Sequence, residues 1–323
     1  MTERFHPCPV FRNPHVQSVA ASIKLRRPFV RFQARELLRS AVPCILDCGK
    51  GVRLMGVHSA HENGRGDLVI LIHGWEGSSD SVYLLSAASF LFRQGFDIFR
   101  LNLRDHGDSH PLNSELFHSC RIEETVGAVK AVGDRFPCRN LFLAGFSLGG
   151  NFGLRIAVRA PHAGIALKKV VAVSPVLHPV KTMDVLENGP AIYHHYFMKK
   201  WKRSLGKKFH FFPHLHDLKD LSRFPTLGSM TEYFAPRHTG FPSAKDYLNG
   251  YALTGKVLEN LEIPCYILAS TDDPVIPAED LDCLAPSPYL HVERTCWGGH
   301  CGFIQNAGME SYAEMRMAEI FQS

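Results

Sequence analysis

The sequence predicts an α/β fold in which a mostly parallel central sheet is covered by helices on both faces. Short runs such as "DLVILIHG" (67–74) and "NLFLAGFS" (140–147) contain unbroken apolar stretches, at 68–72 and 141–146. Strands of a parallel sheet that is buried on both sides have this pattern. Helix-like stretches separate these runs, as the crossover connections of a parallel sheet require. A hairpin-like segment placed first predicts one antiparallel edge.

The predicted elements alternate regularly over the first half of the chain. A Gly-Lys-Gly turn at 49–51 joins two segments of alternating polarity into the hairpin. There follow strand 67–74, helix 81–95, strand 96–104, helix 122–136, strand 140–147, helix Leu148–Arg159 and strand 167–175. The alternation of strands and helices resumes with strand 263–271, a helix near Pro277–Leu284, strand 289–295 and a last helix from about Met309 to Phe321.

The stretch between the sixth and seventh strands breaks this rhythm, because it is helix-prone, aromatic, basic and rich in histidine. We interpret it as a helical lid inserted into the sheet order. The predicted organisation is therefore a core in two parts, 1–175 and 263–323, interrupted by a lid at 176–262. Some of its aromatic side chains should face the site below it; they are Tyr193, Tyr196, Phe197, Trp201, Phe209, Phe211 and Phe212.

Composition narrows the class of protein. The chain has 323 residues, 45% of them hydrophobic and 21% charged, a balance typical of globular proteins. No apolar run approaches the roughly 18 residues of a membrane-spanning helix. Residues 1–20 carry polar side chains and prolines where a secretory signal has its apolar core. We expect the arginine-rich segment 23–40 to be a basic arm packed on the domain.

The nine cysteines point to a reducing compartment. An odd number cannot all pair within the chain, and none forms a CxxC motif. The pairs Cys44/Cys48 and Cys296/Cys301 lack a second pair at zinc-site spacing. We therefore expect free thiols and a cytoplasmic location.

Basic residues and histidines are concentrated in the predicted lid. The basic cluster consists of Lys199, Lys200, Lys202, Arg203, Lys207 and Lys208. Such a run is usually a solvated face, although it could make weak contact with an anionic membrane surface. No nucleic-acid-binding motif accompanies it. The histidines His194, His195, His210, His214 and His216 could coordinate a metal, but they are irregularly spaced and no carboxylate or cysteine partner is obvious. We therefore interpret them as part of a polar and aromatic lid face and assign no metal ligands, although the sequence does not specify whether this lid binds a metal.

Ser147 is the predicted nucleophile. It lies in Gly145-Phe-Ser147-Leu-Gly149, directly after a buried strand and at the start of a helix. This strand–turn–helix context is what a nucleophile elbow requires, whereas the five-residue pattern alone occurs often by chance. The start of the helix would also present backbone N–H groups to a developing oxyanion.

An acid and a base follow in the chain order expected for a hydrolase with this kind of sheet. Strand 263–271 ends in "DDPVIP" and strand 289–295 is followed by "WGGHCGF". We assign Asp273 as the acid, because it lies just before the Val-Ile-Pro segment, and His300 as the base. Asp272 would brace the loop. The alternative is that the two aspartates are ordinary turn residues before a proline, and that His300 is one of 18 histidines that happens to lie on a loop.

The oxyanion donors are predicted from two loops. "LIHGWEGSS" places Trp75 after the central strand, so its backbone N–H should pair with that of Leu148. We interpret His73 as a structural residue that holds this loop.

With these motifs in place, the chain resembles the α/β-hydrolases and, more narrowly, their YheT-like branch. The resemblance rests on "RNPHVQS", "LIHGWEGSSDSVY", "GFSLGGN", "DDPVIP" and "GGHCGF", and it covers nearly the whole chain. It implies Ser147, Asp273 and His300 as a catalytic triad, and it makes the N-terminal arm part of the fold. The family includes esterases and lipid-directed enzymes.

We therefore predict a serine hydrolase that cleaves carboxylic esters of small or medium acyl groups without a cofactor. Two alternatives stay open: a lipase-, phospholipase- or thioesterase-like enzyme that docks on a membrane through its basic lid, and a catalytically silent binding protein. The sequence specifies neither the physiological ester nor the oligomeric state.

Overall fold

The computed structural model describes residues 5–62, 66–214 and 220–323. The strands are β1 (Ala41–Asp47), β2 (Arg53–Ser59), β3 (Asp67–Ile72), β4 (Asp97–Asn102), β5 (Asn140–Phe146), β6 (Leu167–Val173), β7 (Cys265–Ser270) and β8 (Leu290–Thr295). The helices before β6 are α1 (Pro14–Ser22), α2 (Arg27–Gln33), α3 (Arg35–Arg39), α4 (Val82–Arg93), α5 (Ile122–Arg135) and α6 (Leu148–Arg159). Those after it are α7 (Pro179–Asn188), α8 (Ala191–Phe211), α9 (Leu227–His238), α10 (Ala244–Asn249) and α11 (Tyr312–Gln322).

All eight strands form one sheet, in the order β1-β2-β4-β3-β5-β6-β7-β8. The β1–β2 and β2–β4 pairs are antiparallel, and the other five pairs are parallel. The predicted mostly parallel sheet with one antiparallel edge is thus confirmed. The carboxyl ends of β3, β5, β7 and β8 therefore open on the same edge, where sites of such sheets assemble.

The sheet is buried on both faces by separate apolar clusters. Ile70 and Ile72 of β3 pack into one cluster, while Val69 and Leu71 pack into the other. All six residues of β3 are buried, which is why the strand is apolar from Leu68 to Ile72 rather than alternating.

Two helices differ from the sequence-based expectation, one in its type and one in its first residue. The segment predicted as a helix near Pro277 is a 3-10 helix, Ala278–Cys283. The last helix begins at Tyr312 rather than near Met309, because Met309 has a positive φ of 62° and Ser311 is the N-cap. Apolar and charged residues continue across this turn, so periodicity alone does not locate the boundary.

The helices between β6 and β7 are anchored to the core by a buried charge pair. Lys208 of α8 is fully buried, and its Nζ lies 2.6 Å from Oδ1 of Asp105 in the loop after β4. Nζ also donates to the carbonyl oxygen of Asn113 at 2.5 Å. Separating such a pair would leave an uncompensated charge in the interior, which is costly.

The basic cluster of α8 is consequently divided between interior and surface. Lys200 and Lys202 donate to the carbonyl oxygens of Glu76 and Phe224, at 2.8 Å each. The exposed members are Lys199, Arg203 and Lys207. Half of the run therefore joins elements of the fold together.

The N-terminal arm packs on the sheet domain through α1, α2 and α3. Val30, Ala34 and Leu37 are buried in the same apolar cluster as α4. None of the helices within residues 5–62, 66–214 and 220–323 is long and apolar enough to cross a membrane.

Candidate active site

The turn between β5 and α6 holds Ser147 in a strained backbone conformation. Its φ and ψ are 53° and −118°, a region that L-residues seldom adopt. A Cβ atom on Gly145 would overlap the carbonyl oxygen of Gly149, and one on Gly149 would overlap that of Ile72. Both glycines of the motif are therefore required for the sharp turn that raises Ser147 above the sheet edge.

Ser147, His300 and Asp273, which come from three different loops, lie in one line of contacts. The Oγ atom of Ser147 is 3.0 Å from Nε2 of His300, and Nδ1 of the same ring is 2.9 Å from Oδ2 of Asp273. An ionised carboxylate only accepts hydrogen bonds, so Nδ1 must carry the proton. Nε2 is then free to accept the proton of the serine hydroxyl.

Of the two neighbouring aspartates, only Asp273 contacts the imidazole. Its other oxygen accepts hydrogen bonds from the backbone N–H groups of Val275 and Ile276, at 2.8 and 3.0 Å. Asp272 instead accepts the N–H of Gly299 at 2.9 Å, and burial raises the pKa of its carboxyl group. Asp273 thus orients the ring, while Asp272 braces the loop that carries it.

The ionisation of His300 depends on this carboxylate. Burial disfavours the imidazolium form, but the negative charge of Asp273 stabilises it, and the pKa of His300 is raised well above its ordinary value. An imidazole with a raised pKa is a stronger base toward the serine proton.

The N-terminal helix α1 also holds the His300 loop, which sequence reasoning did not anticipate. The backbone N–H of His300 donates to Oγ of Ser18 at 2.8 Å. Gln17, fully buried, donates from Nε2 to the carbonyl oxygen of Ile304 at 2.9 Å and accepts the N–H of Ile304 at 2.8 Å. These partners are more than 280 residues apart in sequence, and local patterns carry no signal for them.

Trp75 and Leu148, whose backbone N–H groups are the predicted oxyanion donors, line the same cavity as Ser147. The loop with Trp75 passes against the serine, since a Cβ on Gly74 would lie 3.2 Å from Cβ of Ser147. Among the described residues, the N–H groups of Trp75 and Leu148 have no backbone or side-chain acceptor. Leu148 is the first residue of α6, where N–H groups have no partner within the helix.

Two neutral histidines hold the Trp75 loop in place. His73 donates from Nδ1 to the carbonyl oxygen of Gly74 at 2.8 Å and accepts the N–H of Leu103 at 3.2 Å. Burial lowers the pKa of His73 to about 4. His106 accepts the N–H of Glu76 at 3.0 Å, and burial also lowers its pKa. The role of His106 was not predicted, because its loop has no recognised motif.

Glu76 brings an unused carboxyl group to the site. It has a positive φ of 56° and lines the cavity beside Trp75. No described residue forms a hydrogen bond or an ion pair with its carboxyl group. Burial raises the pKa of Glu76 to about 8, although the nearby ammonium of Lys200 opposes this shift. The group is therefore mainly protonated at neutral pH.

The cavity above Ser147 has a volume of about 110 Å³ and lies between the sheet edge and the helices α7–α10. Phe197 and Trp201 contribute to its wall, where both rings contact Trp75 at centroid distances of 5.2 and 5.3 Å. In contrast, Tyr196 and Phe211 are exposed. Only part of the aromatic set of the helical segment therefore faces the serine.

Histidines and cysteines outside this cavity do not converge on a site. No group of three or more His, Cys, Asp or Glu residues in the described ranges could hold a metal ion. His210 and His214 are exposed, and His216 lies outside the described residues. None of the nine cysteines forms a disulfide.

Comparison with known proteins assigns the chain to a family. The model of the alpha/beta hydrolase fold family matches residues 67–307. Protein abhd-3.2 of Caenorhabditis elegans is 25% identical over 249 residues, which are 74% of this chain and 65% of that protein. The chain thus spans slightly less than two thirds of that relative.

Solved structures share the fold at low sequence identity. The esterase Pf2001 of Pyrococcus furiosus is 16% identical with a TM-score of 0.59, over 90% of this chain and 94% of that one. A 2,6-dihydroxy-pseudo-oxynicotine hydrolase is 17% identical with a TM-score of 0.60, over 94% and 76% of the two chains.

These matches do not distinguish branches within the family, so membership of the YheT-like branch stays a prediction. The family model nevertheless extends from the start of β3 past the loop of His300 and covers most of the chain. The protein therefore belongs to the alpha/beta hydrolase fold family.

Proposed function

We propose that this protein is a serine hydrolase that cleaves carboxylic esters through an acyl-enzyme intermediate. The observation that carries the proposal is the unbroken line of contacts from Ser147 through His300 to Asp273. It opens on a cavity that also receives the Trp75 loop and the start of α6. Nucleophile, base, orienting acid and oxyanion donors are together sufficient for acyl transfer.

In the first step, Oγ of Ser147 attacks the carbonyl carbon of the ester while Nε2 of His300 takes the hydroxyl proton. The carbonyl π electrons move onto oxygen, and the resulting oxyanion accepts hydrogen bonds from the backbone N–H groups of Trp75 and Leu148. Each such donor typically stabilises the transition state by about 2.7–4 kcal/mol. When the carbonyl re-forms, the C–O bond to the alcohol breaks, and the imidazolium protonates the departing oxygen.

Water completes the reaction by the same route. His300 takes a proton from water as its oxygen attacks the acyl carbon, and the second oxyanion uses the same two donors. Collapse of this intermediate breaks the bond to Oγ, which recovers its proton from the imidazolium. Asp273 keeps the ring in one tautomer and stabilises its positive charge in both steps.

The cavity supports a small or medium acyl group. Its volume of about 110 Å³ is below the roughly 300–1,000 Å³ of pockets for drug-sized ligands. A silent binding protein, the alternative of another class, would not need the serine hydroxyl, imidazole and carboxylate to be aligned. No observation favours that alternative.

We also propose a cytoplasmic location. The nine cysteines, none of which forms a disulfide, support it, since five of them are exposed or partly exposed to solvent; these are Cys8, Cys120, Cys138, Cys283 and Cys296. Thiols at such positions persist in a reducing compartment.

The two aspartates provide a matched test of the proposed mechanism. Asp273→Asn should lower kcat for p-nitrophenyl esters by about 10⁴-fold, because the imidazole loses the carboxylate that fixes its tautomer. Ser147→Ala should lower kcat at least as much. Asp272→Asn keeps an oxygen for the N–H of Gly299 and should retain most activity. Equal losses in the two aspartate variants would contradict the assigned roles.

Glu76 should control the alkaline side of the pH profile. We expect kcat/KM to rise as the imidazolium of His300 loses its proton, at a pKa above that of an ordinary histidine. It should fall again near pH 8, because ionised Glu76 would place a negative charge beside the developing oxyanion. Glu76→Gln should keep the acidic limb and lose the alkaline one; an unchanged alkaline limb would contradict this role.

Ser18 should act as a positioning residue through His300. Ser18→Ala removes the acceptor of the His300 N–H, and we expect kcat to fall about 10- to 100-fold with little change in KM, since small misplacements of a catalytic group are costly. Ser18→Thr restores a hydroxyl and should recover most of kcat. Ser22→Ala, at an exposed position of the same helix, is the control. A loss that appears only in KM or in thermal stability would argue against positioning.

A further inference from the structure

The outer side of the N-terminal arm exposes an unusual amount of apolar surface. Of the 15 large hydrophobic side chains that are exposed within the described ranges, seven lie between residues 10 and 32. Three of them stand out: Leu25 is 84% exposed, Phe32 66% and Phe29 47%. Exposed apolar side chains are ordinary when scattered, but a concentration of them marks an interaction site.

Two of these side chains share one face of α2. Phe29 and Phe32 are three residues apart on this helix, which places them on the same side of it. Leu25 lies in the 3-10 helix Lys24–Arg26 that leads directly into α2. Val30 and Ala34 lie on the opposite side and are fully buried against the core. The helix is therefore apolar on both sides, and the inner row alone accounts for its packing on the domain.

Positive charge surrounds the outer row. The sequence contains no Asp or Glu from residue 5 to residue 35. Lys24, Arg27 and Arg31 are exposed, whereas Arg26 turns inward and donates to the carbonyl oxygens of Ala20 and Met309. We call Leu25, Phe29 and Phe32, together with Lys24, Arg27 and Arg31, the α2 face.

We propose that the α2 face docks this protein on an anionic lipid surface. A row of Phe and Leu flanked by Lys and Arg is the arrangement with which amphipathic helices lie in the interface of a membrane. The apolar side chains enter the acyl boundary while the cations bind the anionic headgroups, each strengthening binding about fivefold. The inference does not depend on the proposed ester hydrolysis.

Charge argues against the other occupants of this face. A second copy would bring two sets of cations together around the same apolar row, and like charges at close range oppose association. The exposed cations of α8 are a weaker candidate for lipid contact, since Lys200, Lys202 and Lys208 are engaged within the fold.

The test is co-sedimentation of the full chain with vesicles. One set contains phosphatidylcholine alone, and the other contains equal parts of phosphatidylcholine and phosphatidylserine. We expect binding to the anionic vesicles that weakens as salt is added, because salt screens the headgroup charge. Binding to the neutral vesicles should be much weaker.

Two double variants separate the apolar and charged contributions. Phe29→Ser with Phe32→Ser should lower the partition coefficient on anionic vesicles about tenfold or more. Arg27→Gln with Arg31→Gln should lower it roughly 25-fold, from about fivefold for each cation. Thermal unfolding and hydrolysis of a soluble ester should be unchanged in both, which verifies the fold.

Matched control variants lie on another surface. Val42→Ser with Ile45→Ser removes comparable exposed side chains from the edge strand β1, and Lys168→Gln with Lys256→Gln removes two exposed cations elsewhere. Neither should change vesicle binding. The proposal is overturned if the wild type does not bind anionic vesicles, or if the α2-face variants bind as the controls do. A dimer in light scattering that dissociates in Phe29→Ser/Phe32→Ser would instead identify an interface between copies.

Discussion

The strained turn at Ser147 is the constraint on which the site depends. A side chain at 145 or 149 would collide with backbone oxygens, so the two glycines allow β5 to enter α6 without an intervening loop. This close approach places the serine hydroxyl at the sheet edge and leaves the first N–H of α6 directed away from the helix. One local backbone arrangement thus sets both the proposed nucleophile and one proposed oxyanion donor. Strain of this kind persists only where surrounding packing enforces it.

The rest of the site is held by contacts that join distant parts of the chain. The loop that carries His300 is held by hydrogen bonds of Gly299 with Ser270 and Asp272, and by one from the N–H of His300 to Ser18 of α1. The N-terminal arm therefore does more than cover the sheet: although it lies outside residues 67–307, which match the family model, it contacts the loop of the proposed base. His15 of the same helix contacts the hydroxyl of Tyr193 in α8 at 2.9 Å, so α1 links that loop to the helices above the cavity.

Burial determines which charges exist near the serine. His73 and His106 are neutral because burial lowers their pKa values, and as neutral rings they can each donate at one nitrogen and accept at the other. Glu76 is also mainly neutral at pH 7 because burial raises its pKa. The loop that carries Trp75 is therefore held without a fixed negative charge beside the proposed oxyanion position.

Sequence patterns predicted the strands and the triad residues, which local sequence specifies. They did not predict the residues whose roles depend on tertiary contacts. The strands were recognisable because burial on both faces makes them apolar, and Ser147, Asp273 and His300 were selected because each follows a strand at the carboxyl edge. Ser18 and His106 were not selected from the sequence. The partner of Ser18 is remote in the chain, and His106 lies in a loop without a recognised motif. Lys208 was grouped with a solvated basic run, because only the packing of α8 reveals that Lys208 lies on the buried face of the helix.

Labelling with a fluorophosphonate probe tests the central claim most directly, because the probe reacts only with a serine whose hydroxyl is activated by a base. Wild-type protein should be labelled at the peptide that contains Ser147, as identified by mass, and His300→Ala should lose the label while remaining folded. The absence of label on folded wild-type protein, or label on another serine that persists in His300→Ala, would contradict the account.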